Sequence, residues 1–499
     1  MEKKDFELIK DIVDTTMDKK GLSRREALKL GLVGTGAVLT GAGSVSEAKA
    51  ATKARASEAK GKILIVGGGL AGMSTAARLT HNLDNPDITV IEPNPRSVTY
   101  QPGLTLIGGY EWTPSDIIYN TKDYVPSGVK WIQDKVVEFN PEANEVKTEK
   151  GQTVKYDFMI VTAGLELAYD RIKGLEEVGT LYTAGQNQKA AEILGKGNAA
   201  SLYFIDGAAQ MKKNLHAFIE QAKSGKKVKG VFTHPNTPIK CGGAPKKILF
   251  LTDSNLRKAG ARDNADLHFY PNGGKMFGVP EYHKAILKLF EEKGLNYHYK
   301  HNLSEIDLAK KVAVFDKHWQ EKGKYDEDLE EYEMVTKHER VEVPYDMLHI
   351  TPPMQAPKLI ANSPVGSSKG YVPVNFETLQ HVKYKNIFSL GDVAALPLGK
   401  TGGSARKQYK VVVDNLISVM EGKEPTAKYN GYTVCPLVTE IGKVMLAEFK
   451  WTNPNAGNYK GEVYSSFPLD PTQPRWLYWA LKVYLLKPMT QMGMLSGRA

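Results

Sequence analysis

The sequence predicts an α/β fold of two Rossmann-like, doubly wound domains, the first discontinuous, followed by a C-terminal membrane-associating segment. Three observations predict it. Residues 62–92 read as strand, glycine-rich turn, helix, second strand and closing acid. Residues 156–164, 345–353 and 386–392 are short apolar runs ending in turns, as strands that rejoin a parallel sheet do. The section from 171 to 340 alternates strand-like and helix-like stretches of its own.

Each part of the first stretch has a physical task. Residues 63–66 form an apolar run of buried-strand type, and Gly67, Gly69 and Gly72 follow in GxGxxG spacing. Residues 73–79 have helix-forming composition, and 88–91 is a second β-branched run closed by Glu92. Gly67 permits the tight turn, Gly69 lets a pyrophosphate approach the backbone, and Gly72 lets helix and sheet pack closely. The helix N-terminus offers unpaired N–H groups and the positive end of its dipole to the anion. Glu92 suits the hydroxyls of a ribose. A lone GxGxxG is a weak signal, and a glycine-rich turn in some other α/β protein is the plainer reading. The five parts in order are a strong signal.

The 499 residues suffice for two or three domains, and 41% apolar with 24% charged residues is ordinary for a globular chain. The formal charge is +10, while the first fifty residues hold nine Lys and Arg against eight Asp and Glu, so the excess lies beyond them. A basic balance spread over this length suits an anionic membrane surface or substrate. No nucleic-acid motif accompanies it, so no nucleic-acid partner is predicted. Residues 1–50 resemble a twin-arginine export signal. They contain Ser23-Arg24-Arg25-Glu26-Ala27-Leu28-Lys29, an uncharged run over 30–42 too short to span a bilayer, and Ala48-Lys49-Ala50 for cleavage. The expectation is a peripheral protein of the periplasm or the outer face of the cytoplasmic membrane, exported folded with its cofactor. An ordinary amphipathic N-terminal helix is the alternative.

Residues 51–61 read as a linker, and the first domain occupies 61–170. Within it, 97–104 is a loop into a helix and 129–150 a small β-meander. In the middle section, 200–205 and 228–232 are strand candidates, 217–222 lie on a helix, and 281–294 is a helix started by Pro280 and stopped by Gly294. Residues 316–340 are charge-dense and read as a solvated hairpin. No second GxGxxG opens this section: Gly207-Ala208-Ala209 and Gly242-Gly243-Ala244 lack the spacing, which argues against a nicotinamide site. Residues 341–430 return to the first domain. There Gly391-Asp392 closes a strand, and a helix over 408–420 follows Lys400-Thr401-Gly402-Gly403. In doubly wound flavoproteins such a Gly-Asp holds the ribityl chain, and the helix aims its N-terminus at the flavin. Taken alone, Asp392 is an ordinary turn or cap acid.

Cys241 and Cys435 are the only cysteines, and no histidine cluster accompanies them, so no metal site is predicted. Cys241 lies in Lys240-Cys241-Gly242-Gly243-Ala244-Pro245-Lys246-Lys247, and Pro245 suits the first turn of a helix over 246–256. A helix N-terminus and three lysines favour thiolate there. A structural disulfide, two inert thiols and a redox-active pair all fit.

Tyr100-Gln101-Pro102-Gly103, the Cys241 motif, Thr351-Pro352-Pro353, Gly391-Asp392, Lys400-Thr401 and Gly431-Tyr432-Thr433-Val434-Cys435-Pro436-Leu437 together resemble the sulfide:quinone oxidoreductases. The type that includes the mitochondrial enzyme is the nearest match, within the FAD-dependent pyridine nucleotide-disulfide oxidoreductases. The resemblance covers roughly 60–490. It implies non-covalent FAD held by Gly67, Gly69, Gly72, Glu92, Gln101, Gly164, Gly391, Asp392, Lys400 and Thr401. It implies a Cys241–Cys435 pair flanking the isoalloxazine and a quinone pocket on the other flavin face. Sulfide would attack the disulfide or a sulfur-bridged form of it, leaving a persulfide on Cys435 and a thiolate at Cys241 that donates to the flavin. Lys400 would stabilise negative charge at the flavin pyrimidine edge or on reduced quinone; a surface-loop lysine is the plainer reading. The rivals are the flavoprotein subunit of a flavocytochrome c sulfide dehydrogenase, an NADH:quinone oxidoreductase and a non-catalytic flavin sensor. The first would need a further cysteine for covalent flavin.

Residues 431–499 form the last region. Its stretch 475–487 carries Trp476, Trp479, Ala480 and Val483 at helical spacing among cations. It is too short and too charged to cross a bilayer and fits an interfacial helix on lipid; packing on the protein's own core is the alternative. The predicted partners are sulfide, membrane quinone and a lipid surface, and homo-oligomer formation is left open.

Overall fold

The computed structural model describes residues 56–326 and 330–499, so the leader over 1–50 lies outside the described residues. Five parallel strands form the first sheet, in the order Ile387–Ser389, Phe158–Val161, Lys62–Val66, Asp87–Ile91, Lys130–Ile132. Parallel sheets are covered on both faces and need continuous apolar runs. Ile63, Leu64, Ile65, Val90, Ile160 and Phe388 supply them, each buried, and full burial of such a side chain is worth about 1.5–3 kcal/mol. The helices Leu70–Asn82 and Gly402–Met420 pack together beside this sheet. The strand from late in the chain sits beside Phe158–Val161, so the first domain is discontinuous.

The second sheet is also parallel, in the order Ala199–Ala200, Met347–His349, Val228–His234, Ala265–Pro271, Asn296–Tyr297. Two elements differ from the sequence expectation. The strand predicted over 200–205 is only Ala199–Ala200, because the chain turns at Ser201 and enters the helix Ile205–Lys223. Met347–His349 does not rejoin the first sheet. It pairs between Ala199–Ala200 and Val228–His234, where its buried side chains fill the middle of the second sheet. The return comes later, through Met354–Gln355 paired with Glu166–Ala168, and then Ile387–Ser389.

The meander is Val136–Asn140, Glu145–Thr148 and Thr153–Lys155, and the charge-dense excursion is a hairpin of Val312–Asp326 and Glu331–Pro344. The helix Pro280–Lys293 ends at Gly294, whose φ of 61° needs glycine. A last antiparallel sheet joins Thr433–Glu440, Lys443–Asn453 and Asn458–Val463.

The tail turns most of its aromatic face inward. The helix Trp476–Ala480 continues into the wide turn Leu481–Leu485, and Tyr478, Trp479, Leu481, Lys482 and Val483 are buried. Trp479 packs edge-on against Tyr110, with ring centroids 5.0 Å apart. Tyr484, Leu485 and Met492 face outward. The end of the chain lies on the first helix, with His81 Nε2 donating to Ser496 O at 2.8 Å. Among the described residues, no helix is long and apolar enough to cross a membrane.

Candidate active site

The first turn is built as its glycines require. Gly67 has φ 104°, and a Cβ there would lie 2.6 Å from Thr162 O; a Cβ on Gly72 would lie 1.9 Å from Gly67 O. Neither position admits a side chain. Gly69 is different, because nothing lies within 4 Å of where its Cβ would be. It opens on a cavity of about 1550 Å³ of atom-free space, partly open to solvent. The helix Leu70–Asn82 begins here without a side-chain cap or a first-turn acid, so its N–H groups and dipole face the opening.

Gln101, Gly164, Gly391, Asp392, Lys400 and Thr401 line the same cavity. Gly67 and Gly72 lie behind it, and Glu92 closes its strand, its carboxylate accepting from Gly68 N–H at 2.8 Å and from Asn94. Lys400 Nζ donates to Asp392 O at 2.5 Å and Ala394 O at 3.2 Å and lies 4.4 Å over the Tyr371 ring. Burial brings Lys400 down to about 8, against the pull of Asp392. Burial raises Asp392, against Lys240 and Lys400. Side-chain-free backbone at Gly69 and Gly164, an uncapped helix end and a long cavity fit a flavin dinucleotide.

Cys241 and Cys435 meet at this cavity. Cys241 lies just before the helix Ala244–Lys258, in the left-handed region with φ 48°. Three hydrogen bonds hold that strained backbone. Its N–H donates to Lys400 O at 3.0 Å, and its carbonyl accepts from Ala244 N–H at 2.8 Å and Tyr203 Oη at 3.3 Å. Cys435 is buried on Thr433–Glu440, opposite Ala447. The two thiols are free and in hydrogen-bond contact. Gly243 permits the approach, since a Cβ there would stand 2.5 Å from Cys435 Sγ.

The pair is electrically asymmetric. The hydrogen bond from Cys435, helped by Lys247 with Nζ 3.2 Å from Sγ, holds Cys241 well below the usual thiol range in spite of burial. The same bond, together with burial, pushes Cys435 well above it. Cys241, with Lys247 beside its sulfur, is therefore the more acidic thiol of the pair. Burial works to discharge Lys247, but the two sulfurs outweigh it and keep its ammonium charged. Burial brings Lys246 down to about 8 and Lys482 down to about 7, each against the sulfurs.

Lys482 is a residue the sequence reading missed. It reads there as one of several cations on an interfacial helix, and no local signal separates it from Lys487. In the fold, Tyr100 Oη donates to its carbonyl at 2.6 Å, and the side chain is fully buried toward the cysteines. Tyr203, which donates to the Cys241 carbonyl, and Glu448, which lines the cavity, were also missed, because those parts of the chain meet only in the fold.

A family model described as pyridine nucleotide-disulphide oxidoreductase matches residues 61–200. The mitochondrial sulfide:quinone oxidoreductase of Dictyostelium discoideum is 39% identical over 439 residues, which cover 88% of this chain and 86% of that protein. The chain belongs to the sulfide:quinone oxidoreductase family. The Mus musculus mitochondrial member is 35% identical over 85% of this chain and 83% of its own. The sulfide:quinone oxidoreductase structure from Aquifex aeolicus shares the fold, with a TM-score of 0.65 at 17% identity, over 88% of this chain and 92% of that one. The family's cofactor is FAD, matching the cavity. The relatives at 32–39% identity are mitochondrial proteins, which overturns the periplasmic location and twin-arginine export predicted from residues 1–50. An arginine pair before an apolar, small-residue run occurs in more than one kind of targeting segment and does not identify the route.

Proposed function

We infer that this protein oxidises sulfide to sulfane sulfur and passes the electrons through FAD to quinone. The contact of Cys241 with Cys435 at the wall of the cavity opening at Gly69 carries this reading. FAD supplies the two-electron acceptor that quinone reoxidises. Gly69, Gly164 and the first helix turn would hold its pyrophosphate, Glu92 its ribose, and Gln101, Gly391, Asp392 and Thr401 its ribityl and ring end. Gly67 and Gly72 shape the turn, and Lys400 supplies positive charge near the ring. The first domain is 61–170 with 341–430, apart from Met347–His349; the second is 171–340, and 431–499 brings Cys435 and the tail.

In the oxidised enzyme Cys241 and Cys435 are joined directly as a disulfide. Hydrosulfide attacks Cys435 Sγ, the S–S bond breaks, and Cys241 leaves as thiolate while Cys435 carries the persulfide. Exchange favours the lower-pKa thiol as leaving group, and Lys247 lowers that of Cys241. A nucleophilic acceptor then takes the sulfane sulfur and leaves Cys435 as thiolate. Cys241 and Cys435 then re-form their S–S bond by giving up two electrons, for which bound FAD would be the acceptor.

Quinone is lipid-soluble, and the outward edge of the tail carries Tyr484, Leu485 and Met492. That edge, not the whole stretch 475–487, is the part assigned to lipid contact.

Anaerobic sulfide is expected to bleach the flavin absorbance, and a short-chain quinone to restore it. Cys241→Ser and Cys435→Ser should each slow bleaching by at least ~1000-fold, as loss of a covalent nucleophile does. Near wild-type rates in either variant would refute the mechanism.

A further inference from the structure

Beyond the cysteines the cavity continues as an apolar chamber between the last sheet and the tail, walled by Pro436, Leu446, Phe467, Leu486, Met489 and Met494. Glu448 and Tyr432 stand in that wall, 2% and 5% exposed. Tyr432 Oη donates to Glu448 Oε1 at 2.5 Å. Ser466 Oγ donates to the same oxygen at 2.7 Å, and Ser466 N–H donates to Oε2 at 2.8 Å. Arg406 and Lys407 lie 6.0 and 5.6 Å from the Tyr432 ring centre. A carboxylate beside an apolar chamber is costly to keep, and nothing in the sulfur chemistry uses this one.

Its position in the sheet is informative. Glu448 is registered opposite Val434, and Cys435 opposite Ala447. Successive side chains of a strand point to opposite faces. The strands therefore carry the cysteine on one face and the carboxylate on the other, with the chamber residues Pro436 and Leu446 sharing the carboxylate's face.

Resting on the quinone reading above, we propose that Glu448 and Tyr432 are the proton relay for quinone reduction. Quinone becomes quinol by taking two electrons and two protons, forming two O–H bonds. Bound FAD, once reduced, would supply both electrons and a proton, and in its anionic form no more than one, which leaves one proton to the protein. Tyr432 O–H gives its proton to the quinone oxygen, and a proton from solvent at half-buried Ser466 replaces it by way of the Glu448 carboxylate. Burial, with Glu448, keeps the Tyr432 hydroxyl protonated between turnovers.

Glu448→Gln in the holoenzyme removes the carboxylate that carries the proton and keeps the side chain's size. Sulfide bleaching without quinone should keep its wild-type rate, while reoxidation by a short-chain quinone slows at least ~10-fold, as loss of a general acid does. An infrared difference spectrum between the oxidised and quinol-treated holoenzyme should show a carboxyl C=O band that is absent in Glu448→Gln. Tyr432→Phe should slow the same step and retain the band. Wild-type reoxidation in Glu448→Gln, equal slowing of both half-reactions, or an unchanged carboxyl band overturns the relay. If Glu448→Gln does not retain flavin, Tyr432→Phe decides by the same rates. Failure of sulfide to bleach the wild-type protein would instead sink the function on which the relay rests.

Discussion

In the first domain the strand Lys62–Val66 enters its helix through glycines that leave open space at Gly69. In the second, Ala199–Ala200 enters its helix through Leu202, Tyr203 and Phe204, all buried. The backbone path is alike and the use is opposite. The open turn presents N–H groups to an anion. The filled turn packs Leu202 against Gly108 and aims Tyr203 Oη at the Cys241 carbonyl, 3.3 Å away. A doubly wound unit without a phosphate-binding turn still serves as a rigid platform that holds a reactive group in place.

Filling the first turn as the second is filled should have the largest effect. Gly69→Leu places a side chain in the cavity without a backbone clash, since nothing lies within 4 Å of its Cβ position and its φ is −72°. Flavin affinity is expected to fall at least ~1000-fold by steric exclusion, read as flavin per protein after purification, while circular dichroism stays native. Emptying the second turn should act on stability instead. Leu202→Ala is expected to cost about 2–4 kcal/mol in urea unfolding through the cavity it leaves, with flavin retained. Leu202→Ala losing flavin but not stability would break the contrast.

Lys247→Met tests the charge placed on the platform. Without that ammonium the Cys241 thiolate forms only at higher pH, because Lys247 helps to hold its pKa down. The pH limb of sulfide bleaching should move upward and the rate near neutral pH fall about 10–100-fold; an unmoved limb removes Lys247 from the account. The smallest effect is expected from Tyr203→Phe, which deletes one hydrogen bond worth about 0.5–1.5 kcal/mol. Bleaching should slow by less than ~10-fold at unchanged flavin content.

What could be read from the chain follows the range of the forces involved. The dinucleotide turn was legible because its parts lie within 62–92 and each glycine answers to a local backbone demand. The helix stopped by Gly294 was legible for the same reason. The strand Met347–His349 was not assigned correctly, since three buried residues and a turn fit either sheet equally well. The tail shows the same ambiguity: aromatic periodicity marks an apolar face, but lipid and protein core both satisfy it, and here Tyr478 and Trp479 chose the core. The leader's arginine pair misdirected the reading of location.

By itself the sequence determined a cofactor-binding α/β chain with Cys241 in a context that favours thiolate, because turn geometry and strand composition are encoded over a few residues. Only the tertiary structure decided that Cys241 meets Cys435, which of them is the more acidic, that Lys482 is buried toward them and that Glu448 lines the same cavity. Charge states inside a protein depend on burial and on distances of a few ångströms between groups remote along the chain. No window of neighbouring residues contains those distances.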